Sequence, residues 1–213
     1  ISDAGYQVAL HGWNSHQATG TSIRDALKET AFIGGGLSYH GLETLSPAAL
    51  ELLKLRDVFG LRSCINTVLR MWNPSHASAS VQGVFHPSYR GLQSRAALLL
   101  GDQNLTVIKG GGGEFERNPA KASAVFGVHK GAHINHTAAA LTTETRRLHE
   151  PEHPVNLPAL WQGTQTDCFA EKTVIGTAAL ALWTLGTAAD LAAADDLATL
   201  LWRTRHSPER ISV

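Results

Sequence analysis

The densest chemistry in this 213-residue sequence is the run Lys109-Gly110-Gly111-Gly112-Gly113-Glu114, which follows the apolar residues 105–108. Backbone N–H groups in a glycine turn at a strand end can converge on a phosphate, because no side chain holds the anion away. The run lacks the Lys-Ser/Thr ending of a P-loop and does not match G-x-G-x-x-G, and four successive glycines also suit an ordinary flexible loop. Glu114 and Glu116 form a carboxylate pair able to hold Mg²⁺ beside such a phosphate, or two solvated loop acids. His129, His133 and His136, with His149 and His153, include the i,i+4 spacing that binds zinc on a helix. Gly131 and the β-prone flanks argue against a helix there, so these read as loop or surface histidines with no metal. His11-Gly12-Trp13-Asn14 leaves a strand, where α/β sheets place their ligands. Arg203, Arg205 and His206 suit an anion, but a basic last turn also complements the helix dipole, and that reading is preferred.

The elements that must position these residues follow from punctuation and periodicity. Residues 6–10 read as a strand and 21–31 as a capped helix. Ser46-Pro47 is a cap with proline at the first helical position, opening a helix to residue 59 that Gly60 stops. A second helix spans 61–71. Then come a strand at 81–85, a helix at 88–100, a fully apolar strand at 105–108 and a strand at 122–128 that turns at Lys130-Gly131. Strand, helix, strand with glycine exits is the pattern of a sheet covered on its faces. Residues 137–165, with Pro151, Pro154 and Pro158, read as a loop-rich connection. Helices at 174–185 and 191–205 close the chain.

Composition bounds the rest. Eighteen Lys and Arg balance eighteen Asp and Glu, so the formal net charge is zero, and a nucleic-acid or membrane binder is not the first expectation. With 43% apolar and 17% charged residues, most of the chain is expected to fold around a core. Two distant cysteines, Cys64 and Cys168, offer neither a disulfide framework nor a four-cysteine zinc site; they read as structural, in a reducing cytoplasm. The opening residues do not read as a signal peptide. The most apolar stretch, 177–185, is too short to span a bilayer. The chain reads as part of a longer soluble protein.

Several segments in fixed order resemble glycosyltransferase family 3, whose best-known member is anthranilate phosphoribosyltransferase. His11-Gly12-Trp13-Asn14 resembles the family's Lys-His-Gly-Asn, and Ser46-Pro47-Ala48-Ala49 its His-His-Pro-Ala-Met. The segment from Phe59 to Asn66 is similar to Leu-Gly-x-Arg-Thr-x-x-Asn, Met71-Trp72-Asn73-Pro74 to Leu-Leu-Asn-Pro, and Gly83-Val84-Phe85-His86-Pro87 to Gly-Val-x-x-Pro. Residues 177–200 are similar to the terminal helix pair. Residues 43–62, His86-Pro87-Ser88-Tyr89 and the glycine run with Asn118-Pro119 look more like the divergent YbiB-like branch.

The resemblance implies one α/β domain over residues 1–213, with a mixed central β-sheet flanked by helices as in the nucleoside phosphorylase/phosphoribosyltransferase catalytic domain. It implies a helical N-terminal domain upstream, a homodimer and no membrane. For a transferase it implies phosphoribosyl pyrophosphate and an aromatic acceptor as substrates, with Mg²⁺ as cofactor. His11, Gly12, Asn14 and Arg62 would bind substrate, Arg62 matching the arginine that faces the anthranilate carboxylate. Gly110, Gly113, Glu114 and Glu116 would form the phosphate and metal region. In the YbiB-like branch it implies nucleic-acid binding instead.

Departures bear on activity. The family's Gly-Thr-Gly-Gly turn falls before Ile1, its lysine is Leu10 here, Trp13 is inserted, its second anthranilate histidine is Ser46, and no adjacent Asp-Glu pair stands near Glu114. Phosphoribosyl transfer depends on positioning and on neutralising the leaving pyrophosphate, so a chain lacking those parts is expected to be a poor transferase. No catalytic residue is assigned.

Overall fold

Leu105–Lys109 alternates between two helices, and this organises the larger part of the molecule. Leu105 and Val107 pack with Ala97, Val84 and Val128, whereas Thr106 points the other way and accepts a 2.6 Å hydrogen bond from Thr184 Oγ1. Side chains on one strand alternate between faces, so helices lie on both sides of the sheet. The computed structural model describes residues 1–13, 23–29, 36–148 and 155–206. It divides into two compact units, Ser2–Ala77 and Ser78–Val213.

In the first unit, β1 (Val8–Gly12) pairs in parallel with β2 (Leu37–Gly41), and α1 (Ile23–Glu29) lies between them in the chain. Three helices follow: α2 (Leu42–Leu45), α3 (Pro47–Phe59) and α4 (Ile65–Met71). Ser46 caps α3 by accepting from the Ala49 N–H at 3.3 Å, and Gly60 ends it in the left-handed conformation at φ 67°. Leu42, Leu50 and Leu53 form the core with Trp13, Ile65, Leu69 and Trp72.

In the second unit, β3 (Ser80–Val84), α5 (Ser88–Leu100) and β4 (Leu105–Lys109) make a parallel β-α-β unit, to which β5 (Ser123–His129) and β6 (Ala132–Ala138) add antiparallel strands. The sheet order is β3-β4-β5-β6, a mixed sheet. The expected hairpin turn is present: Lys130 and Gly131 take φ 51° and 76°, the positive pair that a two-residue turn needs to match strand twist. Three helices complete the unit, α6 (Leu157–Gln162), α7 (Cys168–Leu185) and α8 (Leu191–Thr204), with Asn156, Asp167 and Asp190 as their caps.

Four expectations need correction. β2 lies in a stretch to which no element was assigned. α6 sits inside the expected loop, because Pro158 occupies the first turn of a helix, where its missing N–H costs nothing. α7 begins at Cys168 rather than 174, so its 18 residues are long and apolar enough to cross a membrane by length and composition, although half of that window is buried inside the fold. Cys64 and Cys168 are free and exposed rather than built into the core.

Two polar groups tie the second unit together, one of them fully buried. The Arg117 guanidinium, 1% exposed, spans Asp195 of α8 at 2.6 and 3.3 Å, the Ala139 carbonyl at 2.6 Å and the Gly176 carbonyl of α7 at 3.4 Å. His129 stacks on Trp183 with ring centroids 4.6 Å apart and planes within 6°, and His136 meets the same indole edge-on. The His129 Nδ1 is buried without a hydrogen-bond partner among the described residues. Burial, then the charges of Lys130 and His136, hold the imidazole below its ordinary value of 6.5. Between the folded value and 6.5 the unfolded chain binds the extra proton, so this group removes stability as pH falls through that window. Urea midpoints should therefore drop between about pH 7.5 and about pH 5.5, and His129→Phe should flatten that fall. An unchanged pH dependence in the variant would refute the assignment.

Candidate functional site

The carboxyl ends of β3 and β4 and the start of β5 lie at one end of the mixed sheet, where open α/β sheets place ligands. The glycine turn leaves β4 there. Its Gly110 N–H returns to the Val84 carbonyl at 3.1 Å, stitching the turn to the end of β3. The main chain at Glu114 then lies so close to Gly83 and Gly110 that a Cβ on either glycine would collide with it. Gly113 takes φ 99°, a conformation open to glycine. The turn is therefore a fixed fold rather than a loose loop.

Beside it opens a cleft of about 910 Å³ lined by Arg90, Lys109, Lys121, Arg146 and Arg147 together with Gly110 and Gly111. Asn118, Ser123 and Thr145 add neutral hydrogen-bonding groups. Among the described residues no aspartate or glutamate lines it. Phe126 supports Arg90, whose guanidinium lies 4.9 Å from the ring centre while Nε donates to the Pro87 carbonyl at 3.1 Å. Lys109 lies over Phe85 and donates to the Gly110 carbonyl at 3.2 Å. Arg146 is held most firmly: it donates to both Asp167 carboxylate oxygens at 2.9 and 2.8 Å and lies 4.6 Å from the Phe169 ring centre. Burial pushes the Asp167 carboxyl up. The Ala170 N–H and Arg146 more than offset this and hold it below the usual carboxylate range. Lys121 and Arg147 are exposed and have no carboxylate partner among the described residues. The cleft can neutralise several negative charges on one ligand.

The residues expected from sequence fall in two places. Gly110 lines this cleft, and Gly113 shapes the turn behind it. Glu114 turns its carboxylate back onto the turn, where both oxygens accept from the Gly112 N–H at 3.1 and 2.8 Å. Glu116 does not line the cleft, and the described residues contain no group of three His, Cys, Asp or Glu placed to hold a metal. His11, Gly12 and Arg62 belong to the Ser2–Ala77 unit. There His11 is half-buried, edge-on to Trp72 at 6.1 Å and opposite His40 in register. Burial holds its imidazole below 6.5, a hydrogen bond with the Trp72 backbone opposes this, and His40 adds to it. Gly12, at φ 151°, accepts from Tyr39 Oη at 3.0 Å. Arg62 is exposed. Asn14, His149 and His153 lie outside the described residues.

Sequence reasoning missed Arg90, Lys121, Arg146 and Arg147, which are spread over almost sixty positions and share no local motif. The adjacent pair Arg146-Arg147, in a stretch read as loop, was the available signal.

No protein-family model matches the chain. An uncharacterised protein of Aquifex aeolicus is 30% identical over 106 residues, covering 50% of this chain and 34% of its own length. The anthranilate phosphoribosyltransferase of Burkholderia ambifaria is 28% identical over 134 residues, 57% of this chain and 39% of that protein. That of Polynucleobacter necessarius is 34% identical over 67 residues, 32% of this chain and 20% of that one. The chain thus spans between a fifth and two fifths of these relatives' lengths. The crystal structure of anthranilate phosphoribosyltransferase from Thermus thermophilus superimposes with a TM-score of 0.69 at 21% identity, covering 95% of this chain and 68% of the other.

A mixed sheet with helices on both faces, carrying a cationic cleft at its strand ends, is an α/β fold like that of the Thermus thermophilus structure. In sequence, parts of the chain are similar to anthranilate phosphoribosyltransferases, at 28–34% identity over 67 to 134 residues.

Proposed function

We propose that the chain is the α/β part of a phosphoribosyltransferase-like protein whose cleft takes the phosphate groups of phosphoribosyl pyrophosphate, for transfer of the phosphoribosyl group to an aromatic acceptor. The observation that carries this reading is the placement of five cationic side chains around one cleft beside a folded glycine turn. Departure of pyrophosphate builds negative charge, and fixed cations placed before the reaction lower its cost. Under this reading the whole protein works as a cytoplasmic homodimer, with Mg²⁺ the cofactor that the family resemblance implies for the transfer. Full-length protein given phosphoribosyl pyrophosphate, Mg²⁺ and a panel of aromatic amines should release pyrophosphate, and Lys109→Ala should reduce that release. No release with any acceptor would remove the transferase activity.

A second reading is nucleic-acid binding, as in the YbiB-like branch. It is favoured by the cleft's one-signed lining, which suits a row of phosphodiesters that need only charge neutralisation. Four phosphate contacts to a single strand, each contributing a slope of about 0.7, predict roughly 50-fold weaker binding between about 50 and 200 mM salt. A gel shift at those two concentrations separates the readings, and salt-insensitive binding counts against this one.

A further inference from the structure

We infer that the cleft holds a pyrophosphate group through its own side chains, without a bridging divalent cation; this rests on the phosphate-binding function proposed above and specifies how the ligand is held. Mg²⁺ takes oxygen ligands in near-octahedral geometry and is usually anchored to protein by one or two carboxylates. The cleft offers the opposite chemistry. Arg90, Lys109, Lys121, Arg146 and Arg147 present only donors, and among the described residues no carboxylate lines the space between them.

Glu144 lies 3.9 Å from the Arg146 guanidinium, which it partners, and two further carboxylates beside these groups are engaged as well. Glu114 spends both oxygens on the Gly112 N–H, and its main chain is locked against Gly83 and Gly110, so it does not swing over the cleft without rebuilding the turn. Asp167 is shared between Arg146 and the Ala170 N–H at the start of α7. A divalent cation here would meet like charges and lack an anchor, whereas a bare pyrophosphate meets several donors of opposite charge. The described residues therefore do not fit the carboxylate-anchored Mg²⁺ that the family resemblance implies.

The test is calorimetric titration of the full-length protein with inorganic pyrophosphate, once with EDTA and once with excess Mg²⁺. Binding in EDTA should be at least as tight as with Mg²⁺, because the metal masks the charge that the cleft recognises. The exposed pair Lys121→Ser and Arg147→Ser together should weaken it by about tenfold or more, while Lys130→Ser on the hairpin turn should leave it unchanged. Binding that appears only with Mg²⁺ overturns the metal-free site and leaves the phosphate-binding cleft standing. Binding that ignores the Lys121 and Arg147 changes also overturns it. Absence of pyrophosphate binding under both conditions removes the cleft reading itself.

Discussion

Arg117→Ala is expected to lower the unfolding free energy of the Ser78–Val213 unit by about 3–5 kcal/mol, the cost of breaking a buried ion pair by deleting one partner. The guanidinium joins the segment after the glycine turn to Asp195 of α8 and to carbonyls at Ala139 and Gly176, so its loss strands a carboxylate and two acceptors at once. Its aliphatic stem also fills the space over Gly176, where Arg117 Cδ lies 3.2 Å from the position a Cβ would occupy. At about 2–4 °C per kcal/mol for a chain of this size, the melting temperature should fall by roughly 10 °C. Lysine is not expected to rescue it, because one ammonium group does not span both Asp195 oxygens and the Ala139 carbonyl. Methionine, which fills the volume and brings no charge, should lie between lysine and alanine. Urea and thermal unfolding decide the matter, and a loss below about 1 kcal/mol for alanine would show that the network is dispensable.

The second large effect is expected at Gly83. An alanine Cβ there would strike the Glu114 carbonyl and the Phe115 nitrogen, both main-chain atoms that do not move without displacing the turn. We expect a loss of about 2–4 kcal/mol from overpacking and, with it, weakened pyrophosphate binding, because the same turn supplies Gly110 and Gly111 to the cleft. Gly101→Ala is the matched control. That glycine ends α5 at φ 84° with open space around it, so only the conformational cost of about 1 kcal/mol applies and binding should be untouched. Wild-type stability in Gly83→Ala would mean that the turn is softer than its packing indicates.

These two residues mark the boundary of what the sequence discloses. β3, β4 and β5 are legible because short apolar runs end in glycine or a turn pair, and α3 because Ser46-Pro47 opens it and Gly60 closes it. β2 is not: Leu37–Gly41 is short, none of it is fully buried, and it gains its identity only by pairing with β1. The same holds for the site. A glycine run announces itself locally, but Lys121 reaches Lys109 only because β5 runs antiparallel to β4, and Arg146 is aimed only because Asp167 and Phe169 receive it. From its position after the glycines Glu114 reads as half of a carboxylate pair able to hold Mg²⁺ or as a solvated loop acid; the turn folds back and uses that carboxylate to satisfy its own N–H. Such assignments depend on pairings between distant residues, which no local spacing records.

The exact balance of eighteen positive and eighteen negative side chains hides how unevenly they are placed. Five of the positive ones line a single cleft that has no carboxylate among its described lining residues, and of the five Arg146 is the one paired with acids, Asp167 and Glu144, among the described residues. Such a distribution has a strong local field despite a vanishing total. An approaching polyanion is turned and drawn in on one side, and its encounter rate responds to ionic strength as though the protein were basic.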